Sequence, residues 1–185
     1  MREAELPFIY VSNHKSWIDH FIIITASLRR KGVVPIHLIV ADKIWSRPLV
    51  GGICVALGAY PARAGRGIEV SLAPLKKELA RGECVGIYPE GGCVRAKDVF
   101  GEPKVGASYL AYHTGREIVP MAIKGLEDLS WISLVFGGRK VTLKFGKPFR
   151  INSEALGQGT PQEMIERGRK FIMYKIVELY RSIPD

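Results

Sequence analysis

Asn13-His14-Lys15-Ser16-Trp17-Ile18-Asp19 places an imidazole and a carboxylate five residues apart, directly after the apolar run Phe8-Ile9-Tyr10-Val11. Imidazole changes charge nearest to neutral pH, so His14 is a candidate general base. Asp19 is a candidate for the acid that holds the second ring nitrogen and sets its tautomer. The apolar run reads as a buried strand and the residues after Ser16 as a helix start. The pair is therefore expected at a strand-to-helix turn, where α/β sheets expose their chemistry. Ser16 and Asp19 also fit a helix-capping pattern, a purely structural role for the same carboxylate.

Further segments carry groups of the right type. Gly58-Ala59-Tyr60-Pro61-Ala62-Arg63 reads as a short strand ending in a guanidinium, which can fork onto a phosphate. Its competing role is a solvated surface arginine. Tyr88-Pro89-Glu90-Gly91-Gly92 ends another apolar strand: the proline enforces an extended exit and the glycines let backbone amides approach a ligand. Arg95, Lys97 and Lys104 follow in the same loop. Val119-Pro120 lies inside the apolar run 118–123, where a proline marks an edge, a bulge or a strand start.

Positioning these groups requires a substantial core, and 185 residues that are 47% apolar can build one as a single domain, 1–185. Strands are expected at 8–11, 37–40, 59–61, 84–88, 118–123 and 141–145. Helices are expected at 17–29, 68–81, 105–113 and 162–183. The last follows Thr160-Pro161, a cap plus a first-turn proline. Strands alternating with helices predict an α/β fold, a central largely parallel or mixed sheet with helices on both faces. Residues 129–149 are richer in strand signals and suggest added, antiparallel strands at one edge.

The 27 Lys and Arg against 18 Asp and Glu leave a formal charge of +9, a surface that attracts phosphates of nucleic acid, lipid or small substrates. No nucleic-acid motif of aromatics on basic strands, and no recognition-helix module, accompanies it. Cys54, Cys84 and Cys93 have no metal-ligand or disulfide spacing and fit reduced thiols in a cytoplasmic setting. No leader is visible in residues 1–7. No stretch reaches the ~18 apolar residues of a membrane span, so any membrane contact is expected to be peripheral. The uncharged, Gly-rich stretch 48–62 is too short.

In this order and spacing, the motif segments resemble the lysophosphatidic acid acyltransferase family and its glycerol-phosphate acyltransferase relatives. Asn13, His14, Ser16 and Asp19 match its Asn-His-x-Ser-x-x-Asp block; Gly58 to Arg63 match its second block; Tyr88, Pro89, Glu90 and Gly91 match the third; Val119 and Pro120 match the fourth. Lys43 stands where members often carry a lysine before the second block. Gly92 and Cys93 depart from the third block's Thr and Arg, and the nearest arginine, Arg95, is displaced by two positions. Many relatives carry N-terminal membrane-gripping helices; with so few residues before the first strand, none is expected here.

The resemblance implies transfer of a fatty acyl chain from a thioester, acyl-coenzyme A or acyl carrier protein, to the free hydroxyl of a lysophospholipid, foremost 1-acylglycerol-3-phosphate. It implies His14 as base, Asp19 as its orienter, and no enzyme nucleophile, which leaves Ser16 to capping. Lys43, Arg63, Glu90, Gly91, Gly92, Arg95 and Lys104 would bind substrate, with the amides of Gly91 and Gly92 facing the oxyanion. No cofactor or metal is expected, the acyl thioester being a co-substrate; a His14, Asp19, His20 metal site is the minor alternative. His37 and His113 are expected to be structural. Partners would be the acyl donor, the lysophospholipid and the inner face of a membrane, with no nucleic acid. The alternatives are an acyltransferase on another lipid, hydroxyl or amine acceptor, or a basic lipid-binding protein without catalysis.

Overall fold

The computed structural model describes residues 4–16, 18–28, 35–97, 99–127 and 140–184. A strand paired on both sides must bury both faces, and the apolar runs do so in a six-stranded sheet of order β3-β2-β4-β1-β5-β6. The strands are β1 (Ile9–Ser12), β2 (Ile36–Val40), β3 (Ala59–Pro61), β4 (Cys84–Ile87), β5 (Ile118–Lys124) and β6 (Thr142–Phe145). The first five are mutually parallel, and β6 runs antiparallel to β5. Each lies within a residue or two of its sequence expectation, and β6 is the added antiparallel edge strand. The rest of that expectation, residues 128–139, lies outside the described residues.

Seven helices join these strands among the described residues. They are α1 (Asp19–Ser27), α2 (Asp42–Trp45), α3 (Pro48–Ala56), α4 (Ile68–Ala80), α5 (Gly106–Thr114), α6 (Ser153–Leu156) and α7 (Pro161–Arg181). Alternation along β1 splits the core in two. Ile9 and Val11 face α4, α5 and α7, meeting Leu72, Leu75, Leu110, Ile172 and Ile176. Phe8 and Tyr10 face the other way, toward Ile22, Ile23 and Ile24 of α1. α7 carries the expected cap, a reciprocal Thr160–Glu163 box with Pro161 in the first turn. Its apolar side is spent on the sheet: Ile172, Met173, Ile176 and Tyr180 are buried.

Three helices are departures: α2, α3 and the single-turn α6, none of them among the four expected. α2 and α3 occupy a stretch that the sequence reading left without helix, because Pro48 to Ala56 has no polar face to produce a helical period. Gly51 lets α3 begin directly against α2, since a Cβ there would collide with the Trp45 carbonyl oxygen. Pro120 sits in mid-strand but opposite an irregularity. Met121 pairs with Phe145 while Ile118 bridges Phe149, so the partner chain gains a residue between them. This is the bulge a strand proline tolerates.

Candidate functional site

Parallel strands deliver their C-terminal ends to one edge, and β1 and β4 are neighbours there. The turn after β1 presents His14, and the turn after β4 presents Glu90. Asn13 anchors the first turn to β5: its side-chain amide donates to the Ile123 carbonyl at 2.8 Å, and its carbonyl accepts the Ile123 N–H at 2.8 Å. His14 Nδ1 lies 2.8 Å from Asp19 Oδ2, with Asp19 fully buried and the histidine side chain 23% exposed. The same carboxylate accepts the backbone N–H of Lys15 at 2.7 Å and of Ser16 at 3.0 Å. Contacts to the imidazole and to the turn amides therefore coexist in one side chain. An ionised Asp19 draws the proton to Nδ1 and leaves a lone pair on Nε2, the geometry of a general base.

Ser16 does not cap α1. The helix starts at Asp19 with Ile18 as N-cap and no side-chain cap bond, and Ser16 Oγ meets the Ile18 N–H only at 3.5 Å. The Asp19 carboxylate reaches back for the Ser16 amide instead, so only half of a capping box forms.

Tyr88 stacks on His14, ring centroids 4.2 Å apart and 17° from parallel. Its hydroxyl is buried with no partner among the described residues, and burial, followed by the charge of Asp19, pushes the phenol well above its usual range. His20 Nε2 is likewise buried and unpartnered. Burial, reinforced by His14, lowers the His20 pKa to about 4. Tyr88 and His20 line a narrow cavity with Tyr10, Ile23 and Met121 on the α1 face of the sheet.

Glu90 commits its carboxylate to the backbone. Oε1 accepts the His14 N–H at 3.0 Å, and Oε2 accepts the Gly101 N–H at 2.7 Å. The Gly91 N–H closes the turn on the Tyr88 carbonyl. Gly91 itself has φ 65°, a left-handed conformation suited to glycine, and Lys104 lies across it: a Cβ there would come within 2.7 Å of the lysine stem. Burial raises the Cys93 thiol above its usual range, an effect that the neighbouring Arg95 opposes. Gly92, Arg95 and Lys104 are all exposed beside the His14 turn.

The remaining two cations stand apart. Lys43 is exposed on α2, and Arg63 follows β3, three strands from β1, or about 14 Å at the usual strand spacing. Arg63 has φ 50°, and Asp42 secures this turn by accepting the N–H groups of Arg63 at 2.9 Å and Ala64 at 2.8 Å. Those two bonds hold the Asp42 carboxyl below its usual range. His37 bonds the Gly58 carbonyl and His113 packs on Tyr109 and Tyr112, structural roles for both. Among the described residues no three His, Cys, Asp or Glu side chains converge as metal ligands.

Lys15 is the residue that sequence reasoning passed over. Its side chain is fully buried, and Nζ donates to the carbonyls of Ala96 at 2.9 Å and Val99 at 2.6 Å. It also lies 4.8 Å from the Phe100 ring centroid. A buried ammonium therefore latches the loop that carries Arg95 and Gly101 onto the His14 turn. The tyrosine of the third block was the available signal for Tyr88; a lysine in a polar stretch gives none.

A family model described as Acyltransferase matches residues 1–124. A probable 1-acyl-sn-glycerol-3-phosphate acyltransferase of Mycoplasma pneumoniae is 31% identical over 121 residues, which are 63% of this chain and 44% of that protein. A chloroplastic 1-acyl-sn-glycerol-3-phosphate acyltransferase of Arabidopsis thaliana is 28% identical over 125 residues, 66% of this chain and 33% of its own length. The chain thus spans less than half the length of these curated relatives. In fold it resembles the crystal structure of the 1-acyl-sn-glycerophosphate (LPA) acyltransferase PlsC from Thermotoga maritima, with a TM-score of 0.64 at 21% identity. That likeness covers 99% of this chain and 70% of the other. Among the described residues no helix is long and apolar enough to cross a membrane.

Proposed function

The chain belongs to the acyltransferase family, and from that premise we propose that it moves a fatty acyl chain from a thioester to the free hydroxyl of a lysophospholipid, foremost 1-acylglycerol-3-phosphate, at a membrane surface in phospholipid synthesis. The observation that carries this reading is the His14–Asp19 pair, with Nδ1 held at 2.8 Å and the ring partly exposed on a turn whose backbone is bonded to Val94 of the loop that carries Arg95. A neutral hydroxyl is a poor nucleophile. His14 Nε2 accepts its proton as the oxygen attacks the thioester carbonyl. The tetrahedral oxyanion collapses, the carbon–sulfur bond breaks, and the imidazolium returns the proton to the leaving thiolate. Asp19 keeps the tautomer and stabilises the imidazolium.

The oxyanion needs donors aimed at it, and the exposed Gly92 amide is the candidate at the His14 turn, the Gly91 amide being used within the turn. The acceptor phosphate needs cations within reach of the same turn. Lys104 and Arg95 meet that requirement first, with Arg63 and Lys43 as a more distant pair. The thioester carrier is coenzyme A or acyl carrier protein. The reaction uses no resident metal, so overnight chelation is expected to leave turnover unchanged.

The test is thiol release on mixing the protein with an acyl thioester and a panel of lysophospholipids, with products read by mass spectrometry. Release that depends on the phosphorylated acceptor and disappears in a folded His14→Ala variant is the expected result. Release that survives in that variant contradicts the mechanism, and product only with amine or non-lipid acceptors contradicts the substrate assignment.

A further inference from the structure

Among the described residues nothing covers the apolar helix α3. It carries no charged residue, and Leu49, Val50, Ile53 and Val55 are exposed, Leu49 by 80%. Within α3 only Gly51 is buried. Topology puts α3 on the same side of the sheet as α1. The connections β1 to β2 and β2 to β3 both step in one direction across the sheet, and right-handed crossovers then lay their helices on one face. α1 adds Phe21 and Leu28, exposed by 42% and 65%. The opposite face is closed by α4, α5 and α7. Exposed apolar side chains elsewhere, such as Val70 on α4 and Tyr174 on α7, stand singly, whereas α3 places four on one short helix, which is the mark of an interaction site rather than of scattered surface residues.

The rim of this surface is basic. Lys43 and Arg47 flank the entry to α3, and Arg63 and Arg66 lie in the turn that Asp42 holds against α2. All four are exposed, and Asp42, the acid among them, has its carboxylate oxygens on backbone amides. This rim also borders the catalytic edge, because α2 follows the C-terminal end of β2.

We infer that the α3 face docks on a bilayer with anionic headgroups, α3 lying in the interface and the basic rim on the lipid phosphates. The choice of a lipid partner rests on the lysophospholipid reading and on charge complementarity. A second copy would set like-charged rims against each other. An apolar helix face buries into the headgroup boundary, and each basic residue near an anionic leaflet adds roughly fivefold in partitioning. The surface that meets the membrane is therefore α3, not α7.

The experiment is sedimentation of the full chain with phosphatidylcholine vesicles, with and without phosphatidylglycerol. Turnover is measured in parallel on a short-chain acceptor below its micellar concentration. The wild type is expected to bind anionic vesicles and to release in high salt. Leu49→Ser with Ile53→Ser, and separately Arg47→Glu with Arg66→Glu, should each weaken vesicle binding tenfold or more. Both should keep the wild-type melting temperature and turnover of the dispersed acceptor, since none of the four residues touches the site. An active wild type that ignores vesicles overturns the docking and leaves the activity standing. Vesicle binding without transfer overturns the activity and leaves the docking standing. Variants that bind vesicles as the wild type does, or an α3-dependent dimer without vesicle binding, overturn the assignment of this face.

Discussion

Glu90 Oε1 accepts the backbone N–H of His14 at 3.0 Å, across 76 residues of chain. The bond has a return partner: Val94 N–H donates to the His14 carbonyl at 2.7 Å. Two turns from two strands are thereby stitched together on either side of the imidazole. The position of the imidazole is set as much by the β4 turn as by its own strand.

Removing that carboxylate should therefore cost both fold and rate. Glu90→Ala leaves the partly buried amides of His14 and Gly101 without their acceptor, at up to about 1–3 kcal/mol apiece where water cannot replace it. Glu90→Gln restores one acceptor oxygen but turns an amide donor toward the other N–H, so it should fall between alanine and wild type. Urea unfolding and kcat for the three proteins test the order. An alanine variant as stable and active as the wild type refutes it.

Asp19 and His14 should separate in stability though not in rate. His14→Ala deletes only the base, with an expected ~100- to 10,000-fold fall in kcat and little change in unfolding. Asp19→Ala loses the imidazole partner and also the acceptor for Lys15 and Ser16 N–H, so it should lose comparable activity plus about 1–3 kcal/mol of stability. Asp19→Asn should keep part of the stability and little of the rate. Melting curves beside turnover decide this, and equal stability of the two alanine variants would count against a double role.

The cations divide by position. Lys104→Ala and Arg95→Ala should raise KM for a phosphorylated acceptor about tenfold or more, the worth of a charged hydrogen bond. They should change little for the same acceptor without its phosphate. Arg63→Ala, three strands away, should have the smaller effect. If Arg63→Ala is the most severe of the three, the acceptor extends to the β3 edge.

Much of this was readable because the signals are local. Most strands are apolar runs, β3, β5 and β6 end at a proline or directly before a glycine, and α7 carries its cap in Thr160-Pro161-Gln162-Glu163. The His14–Asp19 contact follows from a turn five residues long. α3 was not readable as a helix, since a segment exposed yet apolar has no polar face and no period. The grouping of cations was not readable either. It depends on β4 entering between β1 and β2, which puts the Arg95–Lys104 loop beside His14 and leaves Arg63 at the far edge. The burial of Lys15 depends on carbonyls more than 80 residues away, supplied by the loop and not by the motif.

Lys15 therefore makes a sharp test of the latch. Lys15→Met keeps the length and apolar stem but abandons the Ala96 and Val99 carbonyls, at about 1.5–3 kcal/mol for each charged hydrogen bond, partly offset by water. Amides of residues 99–104 should exchange faster with deuterium, and KM for the phosphorylated acceptor should rise, because Arg95 sits on the released loop. Lys15→Arg should rescue poorly, since the larger head cannot enter the same pocket. Unchanged exchange in the methionine variant removes Lys15 from any positioning role.

His20 contributes to the loss of stability in acid. Burial, with the added charge of His14, lowers its pKa from the ordinary 6.5 to about 4. Between these values the unfolded chain carries the proton and the folded chain does not, so stability falls as pH falls. The contribution is complete above pH 6.5 and its loss ends near pH 4. The steepest slope from this one group is about 1.4 kcal/mol per pH unit. His20→Leu removes the titration and also the unpartnered Nε2 in the cavity, so it should be at least as stable as the wild type at pH 7. From pH 7 to pH 5 the wild type should lose roughly 1–2 kcal/mol more than the variant. Urea midpoints at the two pH values measure the difference. Parallel losses in the two proteins would mean that His20 takes up its proton equally well in the folded chain, contrary to the burial of its ring.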